Sequence, residues 1–351
     1  MFVDTLIVGQ GLAGSLLAWE LLSRGQRILV VDRDESVSAS KVAAGLVTPV
    51  SGSRFNIPDG LPERLTYAKQ FYWDAEERSR KSMFHHLRTL RFFQSEVERA
   101  AYEARVAKDE RLLESFTGPL PSALPAVHPS HGGFEMRGGG WLDVPLFLEI
   151  TRQRLLETLS YAIAKVAVPE IRVHRSGVRW RNVQARRLVF CEGWRAQKNE
   201  YFAHLPMHPA KGDILDLRPL DPFPVSHILS HGSWLLPLDD STFRAGSTYQ
   251  HDFSDDSPTP DGQSEVLINL ARLTARPFEI LGHRSAIRPI IRRSQPFMGP
   301  SPLSPNVFLF NGLGSKGALN GPWHAARLAE HLVDGSPLPP SCDVNTHFPP
   351  K

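Results

Sequence analysis

The sequence predicts an α/β fold in which a Rossmann-like nucleotide-binding domain is interleaved with a second, β-rich (α+β) domain. Three observations support this fold class. A buried strand, a glycine-rich turn and a helix follow one another at the start of the chain. Further α/β segments occur in the middle and at the end, and the segments between them are mainly β-like. Two interleaved domains are therefore expected to share a cleft, which is the natural place for a ligand.

The start of the chain predicts a strand, a helix and a second strand. Phe2–Val8 is a short apolar run of the kind that parallel sheets bury, and residues 12–24 have helical spacing. Gly25 is expected just after the helix, and residues 27–31 form the second apolar run. A signal peptide is the less favoured interpretation, because the segment has no basic start and contains Asp4.

Four further helices are predicted from their apolar spacing, two of them with a proline in the first turn. They comprise residues 62–82, 144–159, 264–274 and 320–333. The region 83–140 is rich in proline and glycine and is expected to be irregular. Short β-like runs occupy residues 161–187 and lead into a strand at 188–190. Strands dominate residues 205–296, and a last buried strand is expected at 307–311.

The composition limits the class of protein. The chain has 351 residues, of which 41% are hydrophobic, and this is enough for a sizeable core. Its 40 basic and 37 acidic residues give a formal charge of +3, which does not by itself indicate nucleic-acid binding. The two cysteines, Cys191 and Cys342, predict neither a disulfide scaffold nor a cysteine metal site. Without an apolar run of transmembrane length, a soluble cytoplasmic protein is expected.

A GxGxxG motif lies between the first strand and the first helix. Its residues are Gly9, Gln10, Gly11, Leu12, Ala13 and Gly14. The first glycine permits a tight turn, the second lets a pyrophosphate approach the backbone, and the third lets helix and strand pack closely. Asp32, followed by Arg33, ends the second strand and can accept hydrogen bonds from ribose hydroxyls. The motif predicts an adenine dinucleotide but does not distinguish FAD from NAD.

Further glycine-rich and small-residue segments follow in a defined order. They are Ser40-Lys41-Val42-Ala43-Ala44-Gly45-Leu46, Phe190-Cys191-Glu192-Gly193-Trp194, Pro209-Ala210-Lys211-Gly212, Arg244-Ala245-Gly246-Ser247-Thr248-Tyr249, Arg288-Pro289 with Pro296-Phe297-Met298-Gly299-Pro300, and Asn311-Gly312-Leu313-Gly314-Ser315-Lys316-Gly317-Ala318. Over nearly the whole chain, this ordered set resembles the D-amino-acid oxidase and glycine oxidase family of FAD-dependent oxidoreductases. The last segment most closely resembles the oxidase domain of bifunctional enzymes that modify the wobble uridine of tRNA.

The resemblance implies a flavoprotein that holds FAD non-covalently. Residues 1–53, 142–205 and 296–351 would form the FAD-binding domain, and residues 54–141 and 206–295 the substrate domain. Besides the GxGxxG motif, the implied cofactor contacts are Asp32, Arg33, Ser40, Ala43, Ala44, Gly45, Leu46, Val168, Gly193, Trp194, Gly312, Gly314, Ser315, Lys316, Gly317 and Ala318. Val168 is assigned to the adenine because it is expected to end the strand after the middle helix. The turn before the last helix would favour the negative charge of reduced flavin.

For the reaction, the resemblance implies oxidation of a C–N bond, with hydride transfer from a neutral amine to flavin N5. Arg288 stands where the resembling oxidases have an arginine that clamps a substrate carboxylate. Tyr249 is expected to orient the substrate, and Lys316 to place positive charge near the flavin. Arg292 and Arg293 depart from the family pattern, which often has an aspartate and a small residue there. They would suit a more anionic substrate or a phosphate backbone, and the alternative interpretation is that they are solvated or pair with nearby acidic residues.

The leading hypothesis is an FAD-dependent amine or amino-acid oxidase, or dehydrogenase, that acts on a small molecule. A second is a tRNA-modifying enzyme that removes a carboxymethyl group from a modified uridine, which residues 314–317 and the basic stretch 172–187 suggest. Trp180 is the only aromatic residue of that stretch, which weakens this hypothesis. A third is a flavin-binding subunit that needs a partner. A flavin hydroxylase is less favoured, because Gly212-Asp213 lies too early in the chain. The substrate, electron acceptor and oligomeric state stay open.

Overall fold

A computed structural model describes residues 1–55, 57, 58, 60–108, 115–122, 127, 130–291 and 295–348. The helices of these residues are α1 (Leu12–Ser23), α2 (Ala39–Val42), α3 (Leu61–Ser79), α4 (Glu96–Lys108), α5 (Val144–Glu157), α6 (Pro260–Leu273), α7 (Gly317–Asp334) and α8 (Val344–His347). The strands are β1 (Phe2–Val8), β2 (Ile28–Asp32), β3 (Leu46–Val47), β4 (Phe84–His86), β5 (Thr89–Phe92), β6 (Thr117–Gly118), β7 (Gly133–Met136), β8 (Gly140–Leu142), β9 (Tyr161–Ile163), β10 (Ile171–His174), β11 (Gly177–Trp180), β12 (Val183–Phe190), β13 (Ala210–Pro219), β14 (Ile228–His231), β15 (Ser233–Pro237), β16 (Phe243–Gly246), β17 (Phe278–Arg288), β18 (Phe297–Ser301) and β19 (Ser304–Asn311).

The first sheet has a parallel centre. Its path is β10-β11-β12-β1-β2-β9, and the carboxyl end of β12 also pairs with β19. Strands β1, β2, β9, β12 and β19 run parallel to one another, whereas β11 is antiparallel to β10 and β12, and β18 is antiparallel to β19. Because parallel strands end at the same edge of a sheet, the turns after β1, β2, β12 and β19 come together there.

The second sheet has the order β17-β13-β16-β15-β14-β5-β7-β6 and is antiparallel except between β14 and β5. One face packs against α6 through a cluster of buried residues: Leu90, Leu215, Leu229, Leu235, Ala245, Val266, Leu270 and Leu273. Since successive side chains of a strand point to opposite faces, the alternate residues of these strands are free to line a ligand site. A small third sheet, β3-β8-β4, contributes the backbone beside Gly45.

Helices α1, α3 and α7 cover one face of the first sheet. They share one hydrophobic cluster, to which α1 contributes Leu16, α3 contributes Tyr72 and α7 contributes Leu328. The hydroxyl of Tyr72 donates to the carbonyl oxygen of Ala318 at 2.8 Å, which ties α3 to the first turn of α7. Among the residues described above, we find no helix with the length and apolarity that a membrane crossing requires.

The βαβ start and the later helices are confirmed to within a few residues, but the region 83–140 is more regular than predicted. It contains α4 and strands β4 to β8. Helix α4 was not predicted because Glu98 is its only buried residue, and its apolar stripe is reduced to the half-buried Tyr102 and Val106. Its acidic first turn and basic last turn were the available signals, since such charges complement the helix dipole.

Acid is expected to destabilise the fold through His324 in α7. The ring is buried, and its Nδ1 lies 2.7 Å from the carbonyl oxygen of Asn320. Burial lowers the pKa of His324 from 6.5 to about 4, so the folded protein keeps the ring neutral where the unfolded chain already binds a proton. As the pH falls from about 6.5 to about 4, this residue should remove about 3 kcal/mol from the free energy of unfolding.

Urea unfolding at a series of pH values measures this loss. In His324→Gln, whose amide can still donate to the Asn320 carbonyl, the free energy of unfolding should depend less on pH across the same window. The absolute stability of the variant does not matter for this comparison. Equal pH dependence in the wild type and the variant would contradict the assignment to His324.

Candidate active site

A cavity of about 1100 Å³ lies between the carboxyl edge of the first sheet and one face of the second. The first sheet contributes the turns that follow β1, β2, β12 and β19, and the second contributes side chains of β5, β13, β14, β15 and β17. This volume is at the upper end for small-molecule sites and suits a long cofactor together with a substrate. Residues associated with both eight-stranded sheets therefore line the cavity.

In the turn after β1, the backbone packs closely against the backbone of neighbouring segments. A β-carbon on Gly9 would lie 2.5 Å from the carbonyl oxygen of Cys191, and one on Gly14 would overlap the carbonyl oxygen of Gly9. Glycine is therefore the residue that fits at both positions. The turn opens α1, whose first residues line the cavity, and a helix N-terminus in this position can bind a phosphate.

Side chains around this turn hold its shape. Asp32 accepts from the backbone N–H of Gln10 at 2.6 Å and from that of Asp34 at 2.7 Å. Ser40 Oγ accepts from the N–H of Leu12 at 2.9 Å, which fixes the loop 40–46 against the start of α1. Each carboxylate oxygen of Asp32 keeps a lone pair for a further donor, so the ribose contact expected from the sequence stays chemically available.

The loop 40–46 depends on one left-handed glycine. Gly45 has φ of +69°, and a β-carbon there would overlap the carbonyl oxygen of Leu142. The N–H of Leu142 donates to the carbonyl oxygen of Gly45 at 3.0 Å, so the two backbones are in direct contact. Ala43, Ala44 and Leu46 accompany Gly45 in the cavity lining. The small side chains of Ala43 and Ala44 would leave room for a ligand to approach the backbone of this loop, as the resemblance implies.

The turn after β19 connects three segments of the site. Asn311 donates through Nδ2 to the carbonyl oxygen of Gly193 at 2.8 Å, and its Oδ1 accepts from the N–H of Gly312 at 2.8 Å. Lys316 precedes α7 and donates to Ser51 Oγ. Burial lowers the pKa of the Lys316 ammonium. The positive end of the α7 helix dipole and the Lys316 side chain therefore lie at the same end of the cavity.

Arg288 is held over the second sheet. Its Nη2 donates to Ser247 Oγ at 2.7 Å and to the carbonyl oxygen of Thr248 at 3.3 Å. A β-carbon on Gly212 would overlap the guanidinium, so the missing side chain of Gly212 makes room for it. Nη1 is buried and has no hydrogen-bond partner in the described part of the chain. The Arg288 Cζ lies 5.5 Å from the ring centre of Tyr249, which also lines the cavity.

Most of the residues predicted for the site line this cavity. They are Gly9, Gly11, Leu12, Ala13, Asp32, Arg33, Ser40, Ala43, Ala44, Gly45, Leu46, Gly193, Trp194, Tyr249, Arg288, Gly314, Ser315, Lys316, Gly317 and Ala318. Gly14 and Gly312 lie behind this lining and act through the backbone packing and hydrogen bonding described above. Arg292 and Arg293 lie outside the described residues.

The assignment of Val168 rested on a strand end that the structure places elsewhere. The strand after α5 ends at Ile163, and Val168 begins a 3-10 turn that does not line the cavity. Ala164 and Val166 line it instead. The prediction failed because the apolar run after Tyr161 continues past the last paired residue, so apolar character alone did not mark where the strand ends.

Several lining residues had no sequence signal. Arg152 reaches the cavity from α5, donating to Gln10 Oε1 at 3.0 Å and to Asp34 Oδ1 at 2.7 Å. Arg91, Glu98 and Trp234 line the part of the cavity formed by the second sheet. The positions of Arg91 and Trp234 depend on strand pairing between distant parts of the chain, and those of Arg152 and Glu98 on the packing of their helices, which periodicity does not reveal.

Comparison with known proteins adds to this geometry. Residues 4–331 match the family described as DAO, FAD dependent oxidoreductase. The chain is 24% identical to the tRNA 5-methylaminomethyl-2-thiouridine biosynthesis bifunctional protein MnmC of Aeromonas salmonicida, over 97% of this chain and 57% of that protein. It is 23% identical to the glycine oxidase of Pseudomonas aeruginosa, over 96% of this chain and 98% of that protein. It thus spans little more than half of the bifunctional protein.

The fold is also that of solved oxidases. The iminodiacetate oxidase from Chelativorans sp. BNC1 superposes with a TM-score of 0.79 at 20% identity, and the alignment covers 95% of this chain and 96% of that one. At this identity the similarity establishes the architecture, in which a Rossmann-like half and a β-rich half enclose one cavity.

Proposed function

Because the chain belongs to the DAO family of FAD-dependent oxidoreductases, we propose that it oxidises a C–N bond of an amine or amino-acid-like substrate that carries a carboxylate. FAD, when bound, supplies the hydride acceptor for such an oxidation. The carboxylate of the proposed substrate is inferred from Arg288. This residue lies in the cavity, and no Asp or Glu carboxylate is within ion-pair distance of it among the described residues. Its unpaired Nη1 costs free energy that an anionic ligand would offset.

The proposal assigns roles to residues of this chain. The turn at Gly9 with the start of α1 would bind the cofactor phosphates, and Asp32 the ribose. The loop around Gly45 and the turn before α7 would face the flavin ring, where Lys316 adds positive charge. Arg288 would fix the substrate carboxylate, and Tyr249 beside it would limit the orientation of the amine. Non-covalent binding of FAD, the two-domain division given above and a cytoplasmic location belong to the same proposal.

An anaerobic titration of the flavin absorption band tests the reaction class. Amino acids such as glycine and iminodiacetate, the compounds for which similar proteins are named, are compared with methylamine and diethylamine, which lack a carboxylate. We expect a carboxylate-bearing amine to bleach the flavin band. Its counterpart without a carboxylate should need a concentration about tenfold higher or more, since charge-assisted hydrogen bonds contribute about 1.5–3 kcal/mol. Flavin that dithionite reduces and that no amine reduces would contradict the proposal.

A tRNA substrate is the second candidate, and the similarity to the bifunctional tRNA enzyme favours it. The basic stretch 172–187 is largely exposed, but its aromatic residue Trp180 is buried and donates to Glu170 Oε2 at 2.9 Å. That ring is thus unavailable for stacking on a base, and the stretch lies outside the cavity lining. Tight tRNA binding with a steep salt dependence would favour this candidate over a free amino acid.

A further inference from the structure

The floor of the cavity is one face of the second sheet. Residues two apart on each strand line it: Thr89 and Arg91, Ile228 and Ser230, Gly212 and Ile214. Leu90 and Leu229, which lie between the first two pairs, and Leu215, which follows Ile214, point to the opposite face and pack in the core with α6. The floor therefore continues from the strand that carries Arg288 to β5, well beyond the contacts of Arg288 itself.

An ion pair lies at the far end of this floor. Arg91 Nη2 is 2.8 Å from Glu98 Oε1, and the two side chains are only 12% and 8% exposed. Nη2 also donates to the carbonyl oxygen of Gly52 at 2.9 Å, and the guanidinium lies 4.4 Å from the ring centre of Phe55. The other carboxylate oxygen of Glu98 accepts from the backbone N–H of Gln94 at 2.7 Å. The pair is thus held in one geometry from several sides.

This pair keeps hydrogen-bonding capacity on its cavity side. Both N–H groups of Nη2 are used, whereas Nε and Nη1 of Arg91 make no hydrogen bond with the described part of the chain. Each oxygen of Glu98 has a second lone pair. Because the pair is neutral as a whole, Glu98 would repel an added carboxylate and Arg91 would repel an added ammonium. A neutral amide matches both, since its oxygen accepts from Arg91 and its N–H donates to Glu98.

Strand register gives the distance between the two ends. Arg91 is paired with Ser230, Ser230 with Trp234 and Trp234 with Gly246, and Ser247 next to it binds Arg288. Three strand spacings separate Arg91 from Gly246, which corresponds to about 14 Å between the backbones. The indole of Trp234 lies over Gly246, so it gives the floor an apolar surface between Ser230 and the Arg288 end.

We propose that Arg91 and Glu98 form a distal subsite for a neutral, amide-like group at the far end of an elongated substrate. This inference rests on the proposed function, because Arg288 would hold the carboxylate at the other end. The substrate would then be an amino-acid derivative with a carboxylate, an apolar central part beside Trp234 and a terminal group that both accepts and donates hydrogen bonds.

Calorimetric binding to the FAD-loaded protein tests the subsite without turnover. The ligands are unreactive carboxylates with alkyl spacers of increasing length, each made with a terminal primary amide and with an isopropyl group of similar size. At one spacer length the amide is expected to bind about tenfold more tightly than its isopropyl partner, as one to two additional hydrogen bonds would give. In the double variant Arg91→Met/Glu98→Met, which leaves no strong hydrogen-bonding group at either position, the ratio should fall to about one.

The double variant is used because Arg91→Met alone would leave Glu98 buried without its partner and could unfold the protein. Arg88→Met is the matched control, since Arg88 is largely exposed and pairs with Glu135 outside the cavity lining. It should keep the tenfold ratio. Isopropyl ligands that bind without any amide advantage would overturn the subsite alone. Failure of every carboxylate to bind would overturn the proposed function, and the subsite with it.

Discussion

Gly45→Ala is expected to weaken FAD binding by roughly a hundredfold, whereas Gly25→Ala should leave it unchanged. Both glycines have nearly the same backbone, with φ of +69° and +70°. An alanine in this left-handed region costs about 1 kcal/mol at either position. At Gly25 nothing lies within 4 Å of the new β-carbon, but at Gly45 the β-carbon would overlap the carbonyl of Leu142. Overpacking of this kind costs about 1–3 kcal/mol and would be relieved by displacing the loop 40–46 into the cavity.

The measurement is the Kd for FAD from titration of the apoprotein, together with the Tm of each variant. Both variants should melt at a lower temperature than the wild type, because both carry the strained backbone. Only Gly45→Ala should show the rise in Kd, since only this loop lines the cavity. Similar Kd values for the two variants would mean that the loop does not contact the cofactor.

The cofactor half of the site could be predicted because its signals are local. The turn at Gly9, the start of α1 and Asp32 follow one another in sequence, and steric requirements impose glycine within a few residues of a buried strand. The same holds for the turn before α7. Where the local signal ends, prediction failed: nothing in the mainly apolar segment after Tyr161 marks the last paired residue, and the strand was expected to end at Val168 and not at Ile163.

The substrate half depends on contacts that a single sequence does not reveal. Arg91 reaches the cavity because β5 pairs with β14, a strand far away in the chain, and because its register directs alternate residues to the cavity. Helix α4 carries Glu98, yet its exposed surface left no periodic signal. Arg288 was predicted from family resemblance alone, whereas the room that Gly212 leaves for its guanidinium follows from the pairing of β13 with β17.

Arg288→Lys is expected to lower kcat/KM for a carboxylate substrate by roughly a hundredfold, mainly through a higher KM. A lysine keeps the charge but has no planar fork, so it would lose the paired donors that match a carboxylate. It would also lose the bonds to Ser247 and Thr248 that hold the guanidinium in place. Charge-assisted hydrogen bonds contribute about 1.5–3 kcal/mol, which corresponds to the expected factor.

Arg284→Lys is the matched control. Arg284 lies on the same strand, four residues before Arg288, and its Nη2 pairs with Asp216 Oδ1 at 2.8 Å outside the cavity lining. Its kcat/KM should stay within about twofold of the wild type, as is usual for a partly exposed ion pair. With an amine that lacks a carboxylate as the substrate, kcat/KM should differ little between Arg288→Lys and the wild type. If kcat/KM for that amine fell as far as kcat/KM for the amino acid, Arg288 would act on the shape of the site and not on the carboxylate.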